Sequence, residues 1–474
     1  MPASLRALTQ ALLSLLLTHA SPAADPPPTT LTIQPDRPAQ AIQGMGCGAI
    51  FYEAHITSLA ERGRHADQEA LYDAMFKDVR TDFLHLMVRH DHEPENDNAD
   101  PFTMAFKDEW FDYTRHTLAI CKAARLRQPD IQLYATLYTP PAWMKTNNDP
   151  SGGGESRATL KKGMELEFAE FCMAFLDRMH RNGQTVAWLS LTNEPDWPHT
   201  QPGCFFSPDD HARLVATVGN HLAAMRKKNP ALPSVKLVAP NCLSAPDAAA
   251  RYLPPLLKAA GPLTAAVGSH DYDRRGHRWK SLVDAARGRP VWCTEWCVNG
   301  PDNSPDLINS ATEFWLAMTE AFNDGAHAWM AYDWVYPPRK GGEALIHLDW
   351  GERWKPTRIY HGFRQWCQPL QPGMRCVPSK ITGPAASAIS QPGLKASAFI
   401  SPDNRTLVIH AAVVSDQPVN LRLIPGTPFN SATTRHWRTS PSESMQPYPD
   451  SKPTNGSLTT TLPPRTMATW LLTR

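Results

Sequence analysis

Two glutamates close apolar runs of this sequence and could do acid–base or nucleophilic chemistry. Glu194 ends the run Val186–Glu194, and Glu295 ends the run Pro290–Glu295. A buried lone carboxylate is costly, so each needs an ion pair, hydrogen bonds or a function. Two carboxylates that converge from different strands are what glycoside hydrolysis requires: one acid for the leaving oxygen, and one nucleophile or base. For either residue alone, a structural salt bridge is the alternative.

The alternation of strands and helices predicts a fold that brings these two strand ends together. Between residues 44 and 335, short apolar runs alternate with segments of helical periodicity. The candidate strands are 44–48, 83–88, 131–137, 186–192, 235–239, 265–269, 291–294 and 326–331. Eight such repeats are typical of an α/β fold of the (β/α)8 TIM-barrel type, whose active site lies at the carboxyl ends of the strands. The alternative is a doubly wound open sheet, but no GxGxxG motif follows a strand.

The chain divides into four predicted segments. Residues 1–24 are typical of a signal peptide, because Arg6 precedes the apolar run Ala11–Leu17 and small residues follow it. Residues 43–364 form the barrel. Residues 365–474 form an antiparallel β-sandwich side domain, since helical periodicity gives way there to short β-rich runs between turns. Residues 25–42 contain a strand-like run, Thr30–Ile33, that could join the side domain.

Composition narrows the classes of function. The 474 residues carry a net charge of +1 and no basic run typical of nucleic-acid binding. No segment after the signal peptide is apolar and long enough to span a membrane, so we expect a secreted monomer without integral membrane association. Nine cysteines leave at least one thiol free, and Cys293 and Cys297 are expected to be two buried free thiols. Most of the 15 tryptophans are expected in the core.

Three motifs resemble strand ends of family 30 glycoside hydrolases, which belong to a clan of retaining barrel glycosidases. They are Thr139–Thr146, Thr192–Trp197 and Thr294–Trp296, at the third, fourth and seventh strands. Two later segments, Arg438–Met445 and Leu462–Trp470, look like strands of the family's side domain. The resemblance implies Glu194 as acid/base and Glu295 as nucleophile, with no cofactor.

The resemblance also implies a set of sugar-binding residues: Asn193, His270, Tyr272, Trp143, Trp334, Arg89, Trp197 and Arg339. Asn193 would hold the sugar 2-hydroxyl, and Tyr272 would lie near the nucleophile. Trp143 and Trp334 would shape and floor the sugar site, although core packing is the alternative for both.

The sequence departs from the family pattern at two places. Gly44–Gly48 stands where the family usually shows Gly-Phe-Gly-Gly. Arg89 would supply the family's arginine on strand two, but His85 could occupy that position instead. Arg339 is a candidate for holding the acidic branch of glucuronic-acid-decorated xylan, and a solvated loop arginine is its alternative.

One acidic segment, His90–Asp97, invites a metal-site interpretation. It lacks the glycine and the terminal glutamate of an EF-hand loop, and its histidines are too close for a helical zinc pair. We expect a solvated acidic loop and no metal.

The sequence therefore predicts a secreted retaining glycoside hydrolase that acts on a polysaccharide or oligosaccharide, with xylan or glucuronoxylan as the first candidate. A β-1,6-glucanase, a β-1,6-galactanase and a glucosylceramidase are alternatives within the same family. A non-catalytic carbohydrate-binding barrel protein is the alternative from another class. A structural interaction protein, docking a partner through the sandwich, is a third.

Overall fold

Eight parallel strands close into a barrel in the computed structural model, which describes residues 28–273, 278–298, 300, 303–338, 343–349, 353–386 and 393–474. The predicted signal peptide and Arg339 lie outside these residues. Numbered one to eight along the chain, the barrel strands are Gly44–Gly48, Phe83–Val88, Gln132–Leu137, Val186–Ser190, Lys236–Cys242, Thr264–Ser269, Val291–Cys293 and Ala328–Ala331. The predicted barrel is confirmed.

Helices connect consecutive barrel strands and cover the barrel. They are Glu53–Glu61, His65–Phe76, Thr114–Arg127, Glu165–Arg181, Pro208–Lys228, Leu253–Ala260, Trp279–Ala285 and Ile308–Asn323, and Arg358–Cys367 follows strand eight. The helix Pro208–Lys228 begins where its sequence dictates: the Ser207 hydroxyl accepts the Asp210 N–H at 3.3 Å, with Pro208 at the first position. None of the helices in the described ranges is both long and apolar enough for a membrane span.

The barrel interior is a packed core. Its side chains come from seven strands: Phe83, Tyr134, Trp188, Val238, Ala266, Trp292, Ala328 and Met330. The Trp188 and Trp292 rings meet at 4.6 Å between centroids. On strand one, a Cβ at Gly46 would lie 2.9 Å from the side chains of Phe83 and Met330. Strand one is therefore glycine-rich because its neighbours fill the interior.

The side domain is a two-sheet sandwich with its own core. The six-stranded sheet contains Arg375–Val377, Leu394–Ile400, Thr406–Val413, Met467–Thr473, Thr433–Thr439 and Gln446–Ser451, and the four-stranded sheet contains Ser379–Thr382, Thr29–Ile33, Val419–Ile424 and Leu458–Leu462. The strand Thr29–Ile33 pairs parallel with Val419–Ile424, so one pairing departs from the predicted antiparallel arrangement.

Two contacts fasten this sandwich to the barrel. The Gln365 side chain, on the helix Arg358–Cys367, donates to the Met467 carbonyl at 3.2 Å, and the Trp366 ring stacks on His410 at 4.3 Å. This helix runs past the predicted boundary at residue 364. A small sheet, Val335–Tyr336, Ile346–Asp349 and Arg353–Pro356, also lies after strand eight, where no sheet was expected.

The cysteines and tryptophans behave as the composition suggests. All nine cysteines are buried free thiols, including Cys293 and Cys297. Nine tryptophans are buried, which confirms that most of them serve the core.

The expectation of a solvated acidic loop at His90–Asp97 is wrong for two residues. The His92 ring is buried and stacks on Phe171 at 4.0 Å, and Glu93 is 1% exposed. Burial raises the pKa of Glu93 to about 9, and the neighbouring Asp97 and Glu170 add to the rise. The loop after strand two is thus packed onto the helix Glu165–Arg181.

Glu170, on that helix, generates a prediction about stability. Its carboxyl group is buried beside the carboxyl groups of Asp97 and Glu167, without a basic partner among the described residues that would balance its charge. Burial, then Asp97, raises its pKa to about 9. Because this pKa lies above the value of about 4.3 in an unfolded chain, the folded protein loses stability as pH rises from about 4 to about 9. Glu170→Gln should raise the free energy of unfolding at pH 8 by on the order of 1 kcal/mol, and change it little at pH 4.

Denaturant unfolding at both pH values measures this effect. Glu165→Gln, on the same helix but partly exposed, is the matched control. An E170Q variant no more stable than wild type at pH 8 would contradict the prediction.

Candidate active site

Glu194 lies in a strained turn after strand four. Its backbone has a φ of +45°, a left-handed conformation that non-glycine residues rarely adopt. The Glu194 N–H donates to the carbonyl of Asn241 at 2.9 Å, and its carbonyl accepts the Trp197 N–H at 3.0 Å. The side chain is 7% exposed. Strain held by surrounding hydrogen bonds is typical of functional positions.

Glu295 follows strand seven and accepts two tyrosine hydroxyls. Tyr138 donates to Oε2 at 2.6 Å, and Tyr272 donates to Oε1 at 3.1 Å. Tyr138 comes from the end of strand three, and Tyr272 from the loop after strand six. Two donated hydrogen bonds favour the ionised form of Glu295.

The His270 ring lies between the carboxyl groups of Glu194 and Glu295. Its Nδ1 lies 2.9 Å from Glu194 Oε1 and 3.8 Å from Glu295 Oε1. One ligand atom from each of these three residues lies within 4.8 Å of the other two. Carboxyl groups about 5–5.5 Å apart are typical of retaining glycosidases, and separations of about 6.5–9.5 Å are typical of inverting ones. One oxygen of Glu194 and one of Glu295 lie closer together than the separation typical of the inverting class.

Burial shapes the protonation of the pair. It raises the pKa of Glu194 to about 7, with nearby His199 opposing the rise. Burial also raises the pKa of Glu295, while His270 and the hydroxyls of Tyr138 and Tyr272 oppose it. Because two like charges at this distance repel, the pair holds one proton near neutral pH. The hydroxyl donors at both oxygens of Glu295 favour its ionised form, which leaves Glu194 as the candidate for the proton.

Asn241, at the end of strand five, connects the two strand ends. Its side-chain amide donates to the Thr192 carbonyl at 3.0 Å, and its Oδ1 accepts the hydroxyl of Thr294. Its carbonyl accepts the Glu194 N–H. The residues beside both glutamates are therefore bonded to one fully buried asparagine.

The two glutamates open into a cleft of about 630 Å³. Aromatic side chains form much of its wall: Phe51, Tyr138, Trp197, Tyr272, Tyr332 and Tyr336. Trp197 is 49% exposed. Flat apolar faces with polar edges suit the stacking of sugar rings.

The structure brings most of the predicted site residues together. Asn193, Glu194, Trp197, Tyr272 and Glu295 line the cleft, and His270 lies behind them in contact with Glu194. The Asn193 Oδ1 atom is buried with no hydrogen-bond partner among the described residues.

Trp334 does not lie where it was predicted, and the role predicted for Trp143 stays a prediction. Trp334 is fully buried, with its ring 5.9 Å from Phe76 and 6.3 Å from Phe363 on two outer helices. It packs in the core and cannot floor a sugar site, and Tyr332 and Tyr336 line the cleft after strand eight instead. The Trp143 ring nitrogen donates to the Glu93 carbonyl at 3.0 Å, which ties it to the loop after strand two.

Arg89 does not reach the glutamates either. Its guanidinium lies 3.8 Å from the Tyr113 ring centroid and pairs with Asp91. His85 points into the barrel, where its ring stacks on Tyr134 at 4.7 Å and bonds the Thr136 hydroxyl at 2.8 Å. His85 thus lies on the inner face of strand two, and the alternative that it replaces the arginine close to the glutamates stays a prediction.

Among the residues that contact the two glutamates, Tyr138, His199 and Asn241 escaped the sequence prediction, as did the cleft-lining Phe51, Tyr332 and Tyr336. Tyr138 directly precedes the motif Thr139–Thr146, so its position at a strand end was a usable signal. Asn241 also ends a strand, two residues beyond the predicted segment 235–239. His199 lies in a loop and carried no signal.

A cation could also use this site. Within the described ranges, Glu194, His270 and Glu295 are the group whose donor atoms approach closely enough to hold a metal ion. The hydroxyls bonded to Glu295 compete with that use, because they occupy both of its oxygens.

A comparison with protein families matches residues 85–206 to the glycosyl hydrolase family 30 TIM-barrel domain. The matched segment runs from strand two past Glu194 and includes the motifs Thr139–Thr146 and Thr192–Trp197. The predicted resemblance to this glycoside hydrolase family is confirmed.

Solved structures share the whole architecture. A family 30 subfamily 8 xylanase from Clostridium acetobutylicum is 19% identical, with 94% of this chain and 100% of that chain covered at a TM-score of 0.70. Xylanase C from Talaromyces cellulolyticus is 17% identical, with 94% and 100% covered at 0.72. The endo-β-1,6-glucanase BT3312 is 15% identical, with 95% and 94% covered at 0.69. At these identities the likeness shows a common fold.

The proton shared by the pair can be tested directly. Burial raises the pKa of Glu194 to about 7, and an ionised Glu295 beside it should raise it further, so Glu295→Gln should lower the pKa of Glu194 relative to wild type. Titration of ¹³C-labelled glutamate side chains by NMR measures this shift. A pKa of Glu194 that stays the same or rises in E295Q would show that the two carboxyl groups are not coupled as described.

Proposed function

We propose that this chain is a secreted retaining glycoside hydrolase that cleaves a β-linked polysaccharide by double displacement. The observation that carries the proposal is the approach of Glu194, His270 and Glu295 to within 4.8 Å at the carboxyl ends of the barrel strands. The family match over residues 85–206 supports it.

In the first step, a Glu295 oxygen attacks the anomeric carbon of the sugar. The bond from that carbon to the leaving oxygen breaks, and the leaving oxygen takes the proton of Glu194. The products are a glycosyl ester on Glu295, an ionised Glu194 and the free leaving-group sugar. Asn193, with its unpaired Oδ1 in the cleft, is positioned to accept a hydroxyl of the bound sugar.

In the second step, ionised Glu194 takes a proton from water, and the water oxygen attacks the anomeric carbon. The ester bond breaks, which returns Glu295 as a carboxylate and Glu194 as an acid. Esterification removes the charge of Glu295, and this lowers the pKa of Glu194 when it must act as a base.

The substrate we propose first is xylan or glucuronoxylan. Two of the similar structures are xylanases, and the aromatic cleft suits a sugar chain. A β-1,6-glucan is the second candidate, since a structure of similar coverage is an endo-β-1,6-glucanase. Binding of an acidic branch by Arg339 stays a prediction, and so do secretion through residues 1–24 and action as a monomer.

Replacing the nucleophile tests the reaction. Glu295→Gln should lower kcat for an activated aryl β-glycoside by on the order of 10⁴-fold or more, because no glycosyl ester can form. Glu170→Gln, which removes a buried carboxylate away from the cleft, is the matched control. Wild-type-like turnover by E295Q would refute the assignment of Glu295. Tight polysaccharide binding by the wild type without product release would favour the non-catalytic binding protein.

The stereochemistry tests the class of mechanism. On a panel of xylan, β-1,6-glucan and β-1,6-galactan, the first product seen by ¹H NMR should be the β-anomer, because two inversions at the anomeric carbon retain its configuration. Release of the α-anomer first would exclude double displacement.

The pH dependence of kcat/KM should be bell-shaped. Activity requires protonated Glu194, so the rate falls as pH rises through about 7. It also requires ionised Glu295, so the rate falls again at low pH. Tyr138→Phe removes a donor that stabilises the ionised form, raises the pKa of Glu295, and should move the acidic limb to higher pH. The basic limb serves as the internal control, and an acidic limb that does not move would contradict the role of Tyr138.

A further inference from the structure

Glu194 contacts two imidazoles, one at each carboxylate oxygen. Its Oε1 faces His270 Nδ1 at 2.9 Å, and its Oε2 faces His199 Nε2 at 3.3 Å. His270 also approaches Glu295, so it lies between the two carboxylates. His199 is positioned at the oxygen of Glu194 that His270 leaves free.

His199 is buried and yet forms part of the cleft wall. It is 4% exposed and lines the cavity beside Trp197 and Gln201. Its ring nitrogens are poorly satisfied among the described residues: the Nε2 contact with the Glu194 carboxyl group is close in distance only, and the Glu194 backbone is the other group near the ring. A buried polar atom without a partner costs about 1–3 kcal/mol. A hydroxyl group of a ligand in the cleft would satisfy the second nitrogen.

Two glycines in neighbouring loops leave room for the His199 side chain. A Cβ at Gly203 would lie 2.6 Å from His199 Cβ and 2.7 Å from its ring, and a Cβ at Gly152 would lie 2.7 Å from His199 Cβ. The Gly154 N–H donates to the His199 carbonyl at 2.8 Å. Glycine is therefore required at both positions for His199 to pack where it does.

The buried ammonium group of Lys145 connects the loop that carries His199 to the loop after strand three. Lys145 Nζ donates to the Pro150 carbonyl at 2.9 Å and to the Gly203 carbonyl at 2.7 Å, and also to Ser151. The loop that carries His199 is thereby fastened to the loop after strand three, and His199 is held against Glu194 before any ligand binds.

The position of the loop indicates which part of a substrate it would meet. The acid of a retaining glycosidase touches the leaving oxygen, and the nucleophile touches the anomeric carbon. His199 and Trp197 follow Glu194 in the same loop, and both line the cleft. They therefore belong to the half of the cleft that receives the leaving-group sugar.

We propose that His199 is a positioning residue for Glu194 and binds a hydroxyl of the leaving-group sugar. The inference rests on the proposed function. An imidazole N–H at Glu194 Oε2 restrains the carboxyl group while it is an acid, and donates to the carboxylate that remains after proton transfer. The other nitrogen of the His199 ring binds the leaving-group sugar. Glu194 is therefore held in position to donate its proton when that sugar is bound.

Two substrates with the same glycone separate this role from a structural one. A dinitrophenyl β-glycoside needs no proton for its leaving group, whereas an unactivated β-linked oligosaccharide does. His199→Phe should lower kcat/KM for the oligosaccharide about 10–100-fold and leave that for the dinitrophenyl glycoside within about threefold. His199→Gln should recover at least part of the loss, because its amide can donate to Glu194. His221→Gln, at a similarly buried histidine on an outer helix, is the matched control.

An equal loss on both substrates, or no loss on either, would overturn the proposal. Absence of wild-type turnover on every substrate would refute the proposed function instead. The contact is then still measurable, by NMR titration of the His199 ring nitrogens in wild type and Glu194→Gln. Where Glu194 is ionised, its charge raises the pKa of His199, and Nε2 faces its Oε2 at every pH, so the ring-nitrogen signals should differ between the two proteins; identical signals at every pH would overturn the positioning role without reference to catalysis.

Discussion

The site depends on one electrostatic constraint: two buried carboxyl groups lie so close that only one can be ionised near neutral pH. Water is largely excluded from both, so neither charge is screened. Two tyrosine hydroxyls donate to Glu295 and favour its ionised form, whereas burial raises the pKa of Glu194 to about 7. An acid and an anion thus arise from two chemically identical side chains, and this difference is what a double displacement needs.

The rest of the fold keeps that arrangement from relaxing. The barrel fixes the strand ends, and Asn241 bonds the residues beside both glutamates. Interior rings such as Trp188 and Trp292 pack the barrel, so the strands cannot shift relative to one another. The unfavourable φ of Glu194 persists because hydrogen bonds on both sides hold it. The strained geometry at the site lowers the stability of the folded protein, and packing in the core offsets that loss.

Much of the fold could be predicted because its signals are local. All eight barrel strands appear within a few residues of the apolar runs that indicated them, since a parallel strand covered on both faces must be apolar along its length. Glu194 and Glu295 were identifiable because a charge that directly follows such a run has few other uses. The unexpected small sheet after strand eight lacks such runs.

Side-chain direction was where the sequence prediction failed. Arg89 and Trp334 each lie next to a predicted strand end, yet one side chain turns outward to Tyr113 and the other packs between outer helices. Successive residues of a strand face opposite sides, so an uncertainty of one residue reverses the assignment. His199 could not be found at all, because its contact with Glu194 depends on the path of a loop that Gly152, Gly203 and Lys145 determine together.

The sequence by itself determined the barrel, the side domain and the two glutamates, because periodicity and burial cost act along the chain. The tertiary structure alone decided which of the two carboxyl groups accepts the tyrosine hydroxyls, which aromatic rings line the cleft, and that His199 stands beside Glu194. These properties depend on distances of 3–4 Å between residues from different strands and loops, and no pattern within one segment encodes such distances.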